Sequence, residues 1–335
     1  MERPSKDISQ PKVSLNQLQP PAISPVPHGI HRPFLSVMIP TYNCARFLKE
    51  ALRSVLEQAP EPELMQIEVV DDYSNDNPKS VIDELGVEKR VGFYQQSRNV
   101  GATENFNTCI KLAKGYWIHI LHGDDLVEHD FYENITRLAH QYPQAGLLVS
   151  RALEIDEKGE LLRLSDRFQS LETYSCDPSP FFYNNVFRTP SVVVSRSFYE
   201  IYGGFHPALI HTADWELWIR AIATKGGIGI NQPLARYRIF SSSHTGRLQR
   251  TGENLHDYLR LASLSFSEYP NFCMDKFKKL VSEQARRQIE LFVKLGDKGA
   301  IQANYRIWWR NSRLTNKIYW LTKDFLTLGR NINEI

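Results

Sequence analysis

Cysteine is scarce in this 335-residue chain. There are four, Cys44, Cys109, Cys176 and Cys273, widely scattered and with no CxxC pair. They build neither a zinc ribbon nor a disulfide framework, and a reducing compartment fits. An excess of one charge is also missing. Forty Lys and Arg stand against 38 Asp and Glu, a formal +2, so bulk charge gives no argument for nucleic acid and none is expected as a partner. No apolar run approaches the ~18–20 residues that span a bilayer. The N-terminus lacks the apolar stretch of a secretory signal, so a cytoplasmic protein is expected. The common phosphate cradles are absent: no GxxxxGK[ST], and no GxGxxG opening a helix after the first strand, which disfavours P-loop and NAD-dependent enzymes. There is no HExxH, and the ten histidines do not cluster with cysteines, which disfavours zinc. The rest, 42% hydrophobic and 23% charged, is the balance of one large globular domain or two smaller ones.

Proline, by contrast, is concentrated. Residues 1–33 hold Pro4, Pro11, Pro20, Pro21, Pro25, Pro27 and Pro33, with no sustained apolar period, and read as a disordered or extended arm. From Leu35 the texture changes. Leu35 to Pro40 is a short apolar run suited to a buried strand, and Ala45, Leu48, Leu52, Val55 and Leu56 then recur at helical spacing. Strands are expected at 67–71, 91–95 and 116–121, alternating with helices at 76–85 and 103–114, the last capped by Gly115. Strands alternating with helices predict an α/β unit with a mostly parallel sheet. The second half is less regular: strands at 146–155, 191–194 and 228–239, the last interrupted by Pro233, and an amphipathic helix at 214–223. From Asn254 the pattern is helical to the end, and no internal repeat is found.

Ligands of open α/β sheets bind beyond the carboxyl ends of the strands. Three polar clusters fall at such ends: Thr41-Tyr42-Asn43, Asp71-Asp72 and Asp124-Asp125. Asp and Asn also start helices as caps, which is the better reading for Asp76. Paired carboxylates on one rim, however, repel unless neutralised, and a hard divalent cation with oxygen ligands does that. Mg²⁺ commonly binds one or two carboxylates together with substrate phosphates. A tyrosine beside the site offers a flat face to a base.

These residues carry a resemblance. Ser36-Val-Met-Ile-Pro-Thr-Tyr-Asn43, Ser54-Val-Leu-Glu-Gln58, Val70-Asp-Asp-Tyr-Ser-Asn-Asp76, Asn99-Val-Gly101, Leu121-His-Gly-Asp-Asp125, Gly203-Gly-Phe205 and Asp214-Trp-Glu-Leu-Trp218 follow in one order. The series resembles the family 2 glycosyltransferases, over roughly residues 35 to 240; the ordered whole is specific where no single member is. The resemblance implies a GT-A nucleotide-sugar-binding fold, Rossmann-like, with a C-terminal helical extension. It divides the chain into the arm at 1–33, a nucleotide-sugar-binding half at 34–150, an acceptor-binding half at 151–245 and the extension at 246–335. It implies that Pro40 and Tyr42, with Thr41 and Asn43, embrace the base of the donor. Asp72 hydrogen-bonds that base, and Asp124 and Asp125 hold ribose and a metal–diphosphate. Asp214 is the general base on the acceptor hydroxyl. The implied cofactor is Mn²⁺ or Mg²⁺. The implied partners are a nucleoside-diphosphate sugar, UDP or dTDP, and a glycan or lipid-linked acceptor in cell-surface glycan synthesis.

Departures from the family matter. His122-Gly-Asp124-Asp125 stands where the family often has Asp-x-Asp-Asp, which leaves the metal to the last two carboxylates. Ala213-Asp214 replaces Glu-Asp, and Asn105-Phe-Asn107 replaces Ala-Arg-Asn, removing a donor-side arginine. Tyr237-Arg-Ile-Phe240 lacks the family's histidine; His244, four residues on, is a substitute metal ligand or else an ordinary loop histidine. No transmembrane bundle follows, which disfavours a processive synthase.

Chemically, one metal-side carboxylate pair and one distant base fit transfer better than hydrolysis. A diphosphate leaving group held by metal needs no carboxylic acid, whereas an inverting glycosidase does. A single base opposite the leaving group inverts the anomeric centre. On position alone Asp214 is a good helix cap as well; Trp215 and Trp218 belong to an apolar helix and read as core. A non-catalytic nucleotide-sugar or carbohydrate-binding module on the same scaffold is the alternative; a nucleotidyltransferase would need a Gly-rich basic loop that is missing. Within 303–330, Leu314, Ile318, Leu321, Phe325 and Leu328 form a stripe beside Arg306, Arg310, Arg313 and Lys317. It reads as a packed helix or as a peripheral contact with the inner face of a membrane.

Overall fold

The computed structural model describes residues 19–312. In chain order its elements are β1 (Leu35–Thr41), α1 (Ala45–Leu56), β2 (Met65–Asp71), α2 (Pro78–Leu85), β3 (Gly92–Gln95), α3 (Ala102–Leu112), β4 (Trp117–Ile120), β5 (Leu126–Val127) and α4 (Phe131–Gln141). The second half adds β6 (Leu147–Ile155), β7 (Leu161–Leu164), β8 (Val192–Ser195), α5 (Arg196–Tyr202), α6 (Ala213–Lys225), β9 (Gly227–Arg238), α7 (His244–Thr251), α8 (Glu253–Leu264), α9 (Met274–Leu295) and α10 (Lys298–Asn311).

Among the described residues the strands form one sheet in the order β3-β2-β1-β4-β8-β6-β9-β5, with β7 pairing the end of β6 at 153–155. The first four are mutually parallel. In the second half β8 runs antiparallel to β4 and β6, β9 is parallel to β6, and β5 is antiparallel to β9. The chain leaves β1 for β2 on one side and returns to β4 on the other, so the crevice beyond β1 and β4 is a topological switch point. This is the expected α/β fold.

Side-chain alternation builds two cores. Val37 and Ile39 point to one face, where α1, α2 and α4 cover them; Met38 points to the other, where α3, α6 and the C-terminal helices lie. α1 shows how the sequence codes its docking: Phe47, Leu48, Ala51, Leu52 and Val55 fall on one stripe and all are buried. The second core runs continuously from Ile23 to Trp308, so the helices after residue 246 share it with the sheet. Trp215 and Trp218 are core residues, as expected.

Several expectations are corrected. Residues 19–33 are not a disordered arm. Ile23 is 3% exposed in the core, Pro21 accepts a hydrogen bond from Gly204 N at 2.9 Å, and Ser24 accepts one from Arg196 Nη2 at 3.0 Å. Prolines hold the strap extended at little entropic cost, and its carbonyls serve groups that the domain would otherwise leave buried without partners. Residues 1–18 lie outside the described residues, as do Arg313, Leu314 and the rest of the C-terminal stripe. In α10, Ile307 and Trp308 pack inward while Trp309 is exposed. Gly115 does not cap α3, which ends through Ala113. It lies against β1 instead, where a Cβ would come 2.6 Å from Ser36 N. Asp76 does not cap the helix that follows it. Its Oδ2 accepts from Ala45 N at 2.8 Å and so caps α1. The interruption expected at Pro233 is present, by contrast: β9 runs through it with a register shift opposite Arg151.

Candidate active site

The three rim clusters converge, but they do different work. At the end of β1, Pro40 and Thr41 are buried, and Tyr42 just beyond it is 40% exposed, its ring open to a ligand. Asn43 sits at φ 51°, and its Oδ1 accepts from Asn75 N at 2.9 Å, lacing the β1 loop to the β2 loop. Left-handed backbone suits Asn because its short side chain bonds locally.

The Asp71-Asp72 pair needs no cation. Asp71 accepts from Ser74 N and from Gln95 Nε2 at 2.9 Å. Asp72, 2% exposed, accepts from Val100 N at 2.7 Å, Gly101 N at 3.0 Å and Asn99 Nδ2 at 3.0 Å. These donors fix the 99–101 loop at the rim. Burial pushes the Asp72 carboxyl up, against the pull of the Val100 and Gly101 amides.

The loop after β4 is different. Gly123 lets it close on β1, since a Cβ there would meet Thr41 Cγ2 at 2.4 Å. Beside it, ligand atoms of His122, Asp124 and Asp125 lie within 4.8 Å of one another. Asp125 is 1% exposed and its Oδ1 accepts from Arg238 N at 2.8 Å. Its Oδ2 is buried without a hydrogen-bond partner, and so is His122 Nε2; His122 Nδ1 stands 3.4 Å from that Oδ2, an ion-pair contact. Burial, then the charge of Asp125, pushes the Asp124 carboxyl up to about 6, although His122 and Arg238 oppose this. Burial lowers the His122 imidazole, but Asp125, Asp124 and Asp214 outweigh it and hold the ring above the ordinary histidine value. Orphaned buried atoms on a carboxylate and an imidazole, with a second carboxylate in reach, are a donor set that fits a divalent cation.

Asp214 approaches from the second half of the chain. It is the second residue of α6, whose cap position is Thr212, so Asp214 does not occupy the cap position expected for it. Its Oδ1 accepts from Trp215 N at 2.6 Å and its Oδ2 from Thr189 Oγ1 at 3.3 Å. Burial pushes its carboxyl up to about 6, against Trp215 N and the nearby His122. That places a proton acceptor within electrostatic reach of the His122 cluster yet bound to none of it.

His244 is not brought into the cluster. It opens α7, and its Nε2 lies 2.8 Å from Ile210 O. The third member is His122, which the departure from Asp-x-Asp-Asp had set aside. Sequence reasoning also missed three supports. Phe106 stacks on His122 at 5.1 Å and 17°, so the Asn105-Phe-Asn107 segment keeps a role at the site. Asn107 exchanges two hydrogen bonds with Phe205, tying α3 to the Gly203-Gly204 turn. Arg238, 4% exposed, donates to Asp124 O at 2.9 Å and Glu50 Oε2 at 2.6 Å, pinning the acidic loop between β9 and α1. The arginine beside Tyr237 was the available signal; Glu50, on a plain amphipathic helix, gave none.

Known proteins resemble this chain in sequence and in fold. Residues 36–199 match the family described as glycosyl transferase family 2. An uncharacterized glycosyltransferase of Methanocaldococcus jannaschii is 26% identical over 250 residues, 72% of this chain and 82% of that one. Another, from Mycoplasma genitalium, is 38% identical over 96 residues, 28% of this chain and 32% of that one. Among solved structures, TarS of S. aureus in complex with UDP-GlcNAc superposes with TM-score 0.53 at 14% identity, over 84% of this chain and 93% of that one. The mannosyltransferase PcManGT from Pyrobaculum calidifontis, in complex with GDP-Man and Mn²⁺, gives 0.53 at 17% identity, over 92% and 84%. At such identity these two speak for the fold. With the ordered motifs, the switch-point site and the family match together, the chain belongs to the family 2 glycosyltransferases, on the GT-A fold.

Proposed function

We propose that the chain moves a sugar from a nucleoside-diphosphate sugar to an acceptor hydroxyl with inversion, in a metal-dependent reaction. The observation that carries this reading is the pair of orphaned buried atoms, His122 Nε2 and Asp125 Oδ2, beside Asp124. These three residues would hold Mn²⁺ or Mg²⁺. When bound there, the cation supplies charge for the diphosphate as it leaves. Pro40 and Tyr42, with Thr41 and Asn43, line the base end of the donor. Asp72 serves that end through the 99–101 loop that its carboxylate organises. Asp214 takes the proton of the attacking hydroxyl, since its carboxylate lies within electrostatic reach of His122 without being bonded to the cluster and has a raised proton affinity.

The donor is a nucleotide sugar; similarity to one protein seen with UDP-GlcNAc and another seen with GDP-Man leaves UDP, dTDP and GDP as the panel to test. A glycan or lipid-linked hydroxyl is the acceptor class. The test is turnover of UDP-, dTDP- and GDP-sugars with Mn²⁺ or in EDTA against simple glycoside acceptors, with the product's anomeric configuration read by NMR. A product of inverted configuration, formed only with metal, supports the reading. Retention, or equal turnover in EDTA, overturns it.

A further inference from the structure

The loop that delivers Asp214 is held from outside. Asp257, on α8, is 0% exposed and reaches into residues 210–212, immediately before α6. Its Oδ1 accepts from Ile210 N at 3.2 Å. Its Oδ2 accepts from His211 N, Thr212 N and Thr212 Oγ1, each at 2.9 Å. Arg260, one turn on, contacts Asp257 Oδ1 at 2.5 Å and Ala208 O at 3.2 Å. Tyr258 from the same helix packs edge-on against Trp215, the residue after Asp214, with ring centroids 5.8 Å apart. A fully buried carboxylate is costly unless its oxygens are satisfied. Here the satisfying groups are the backbone of the segment that sets where α6 begins. Thr212, at the cap position, makes no cap bond to its own helix and gives its hydroxyl to Asp257 instead.

We infer that Asp257 is a positioning residue for the transfer reaction: through residues 210–212 it fixes the start of α6 and hence the Asp214 carboxylate. This rests on the reading of Asp214 as base. It also gives the helices after residue 246 a role in turnover beyond packing. Asp257 touches none of His122, Asp124 or Asp125, so donor and metal binding do not depend on it.

A displacement on the order of 1 Å in a reacting group can cost about 10²-fold in rate. Asp257→Asn keeps the volume but puts an amide N–H₂ against backbone N–H groups. The expected result is kcat lower by about 10- to 100-fold with donor KM within about twofold of wild type. The decisive readout is a double-mutant cycle. In an Asp214→Asn background, Asp257→Asn should change turnover by less than about twofold, because its effect passes through a base already removed. Multiplicative losses, or full activity in Asp257→Asn, overturn the inference. If Asp257→Asn fails to fold, Thr212→Val removes one of the same bonds and enters the same cycle: a loss absent from the Asp214→Asn background supports the inference, and a multiplicative loss or none overturns it. Wild-type turnover in Asp214→Asn alone would overturn the base assignment instead, so the two failures are distinguishable.

Discussion

Replacing Asp214 by Asn separates a catalytic carboxylate from a structural one. The amide keeps the size, its oxygen can still accept from Trp215 N and its NH₂ can donate to the Thr189 hydroxyl oxygen, but it takes no proton. Loss of a general base costs on the order of 10²–10⁴ in rate, which is about 3–5 kcal/mol of transition-state stabilisation. The structure also fixes the pH dependence. Burial holds the Asp214 carboxyl at about 6. Wild-type kcat should therefore fall about tenfold per pH unit below a midpoint at or under 6, since a bound cation nearby draws the midpoint down. The Asn variant should lose this acid limb. Stability moves the other way. The folded-state carboxyl lies above its unfolded value of 3.8, so this group's contribution is most favourable below about 4 and is lost as pH rises through about 6. Asp214 keeps some contact with solvent, so on the order of 1 kcal/mol is recovered by Asn at pH 7.5. The variant's Tm should then be equal or about 2–4 °C higher. The assay is kcat against pH for both proteins beside their thermal melts. Wild-type turnover in the variant, or an acid limb of unchanged midpoint, would refute the reasoning; lost turnover with a melt several degrees lower would assign Asp214 a structural role.

Further outcomes follow from the supports around the site. Ile23→Ala should destabilise by about 2–4 kcal/mol, seen as a lower urea midpoint, because the strap at 19–33 belongs to the core; an unchanged midpoint would restore the reading of a loose arm. Asp72→Ala strands the Val100 and Gly101 amides, at a cost of about 1–3 kcal/mol. It should weaken nucleotide binding equally with metal and in EDTA, and a loss confined to the metal-bound condition would contradict this. Phe106→Ala frees the His122 ring and should weaken Mn²⁺ affinity in the absence of nucleotide, measured by titration calorimetry; an unchanged Mn²⁺ affinity would contradict this.

Much of this was legible in the chain. The elements of the first half could be read because parallel strands buried on both faces are plain apolar runs, as in Leu35 to Pro40, and their helices show a clean stripe. The rim clusters followed from topology. The tertiary hydrogen bonds were not legible. Asp76 capping α1 across 31 residues, or Asp257 holding a loop 45 residues upstream, leaves no local pattern. Nor could composition show that Asp71 and Asp72 are satisfied by amides while Asp125 is not, although both look like bare carboxylate pairs. The strap misled for a related reason. A proline-rich stretch without period reads as disorder, yet Ile23, the carbonyls of Pro21, Ser24 and Pro33, and Arg32 on Lys114 O dock it.

The central claim is that His122, Asp124 and Asp125 form a cation site through which the donor's diphosphate is held. Titration calorimetry of UDP and GDP, each with Mn²⁺ and in EDTA, tests it on the wild-type chain and on Asp125→Asn, which keeps the acceptor for Arg238 N but removes the orphaned carboxylate oxygen. The account predicts that one nucleotide binds the wild type at least about tenfold more tightly with Mn²⁺, and that Asp125→Asn abolishes this difference while retaining its metal-free affinity. Equal affinity with and without Mn²⁺ in the wild type, or an undiminished Mn²⁺ effect in the variant, would contradict it.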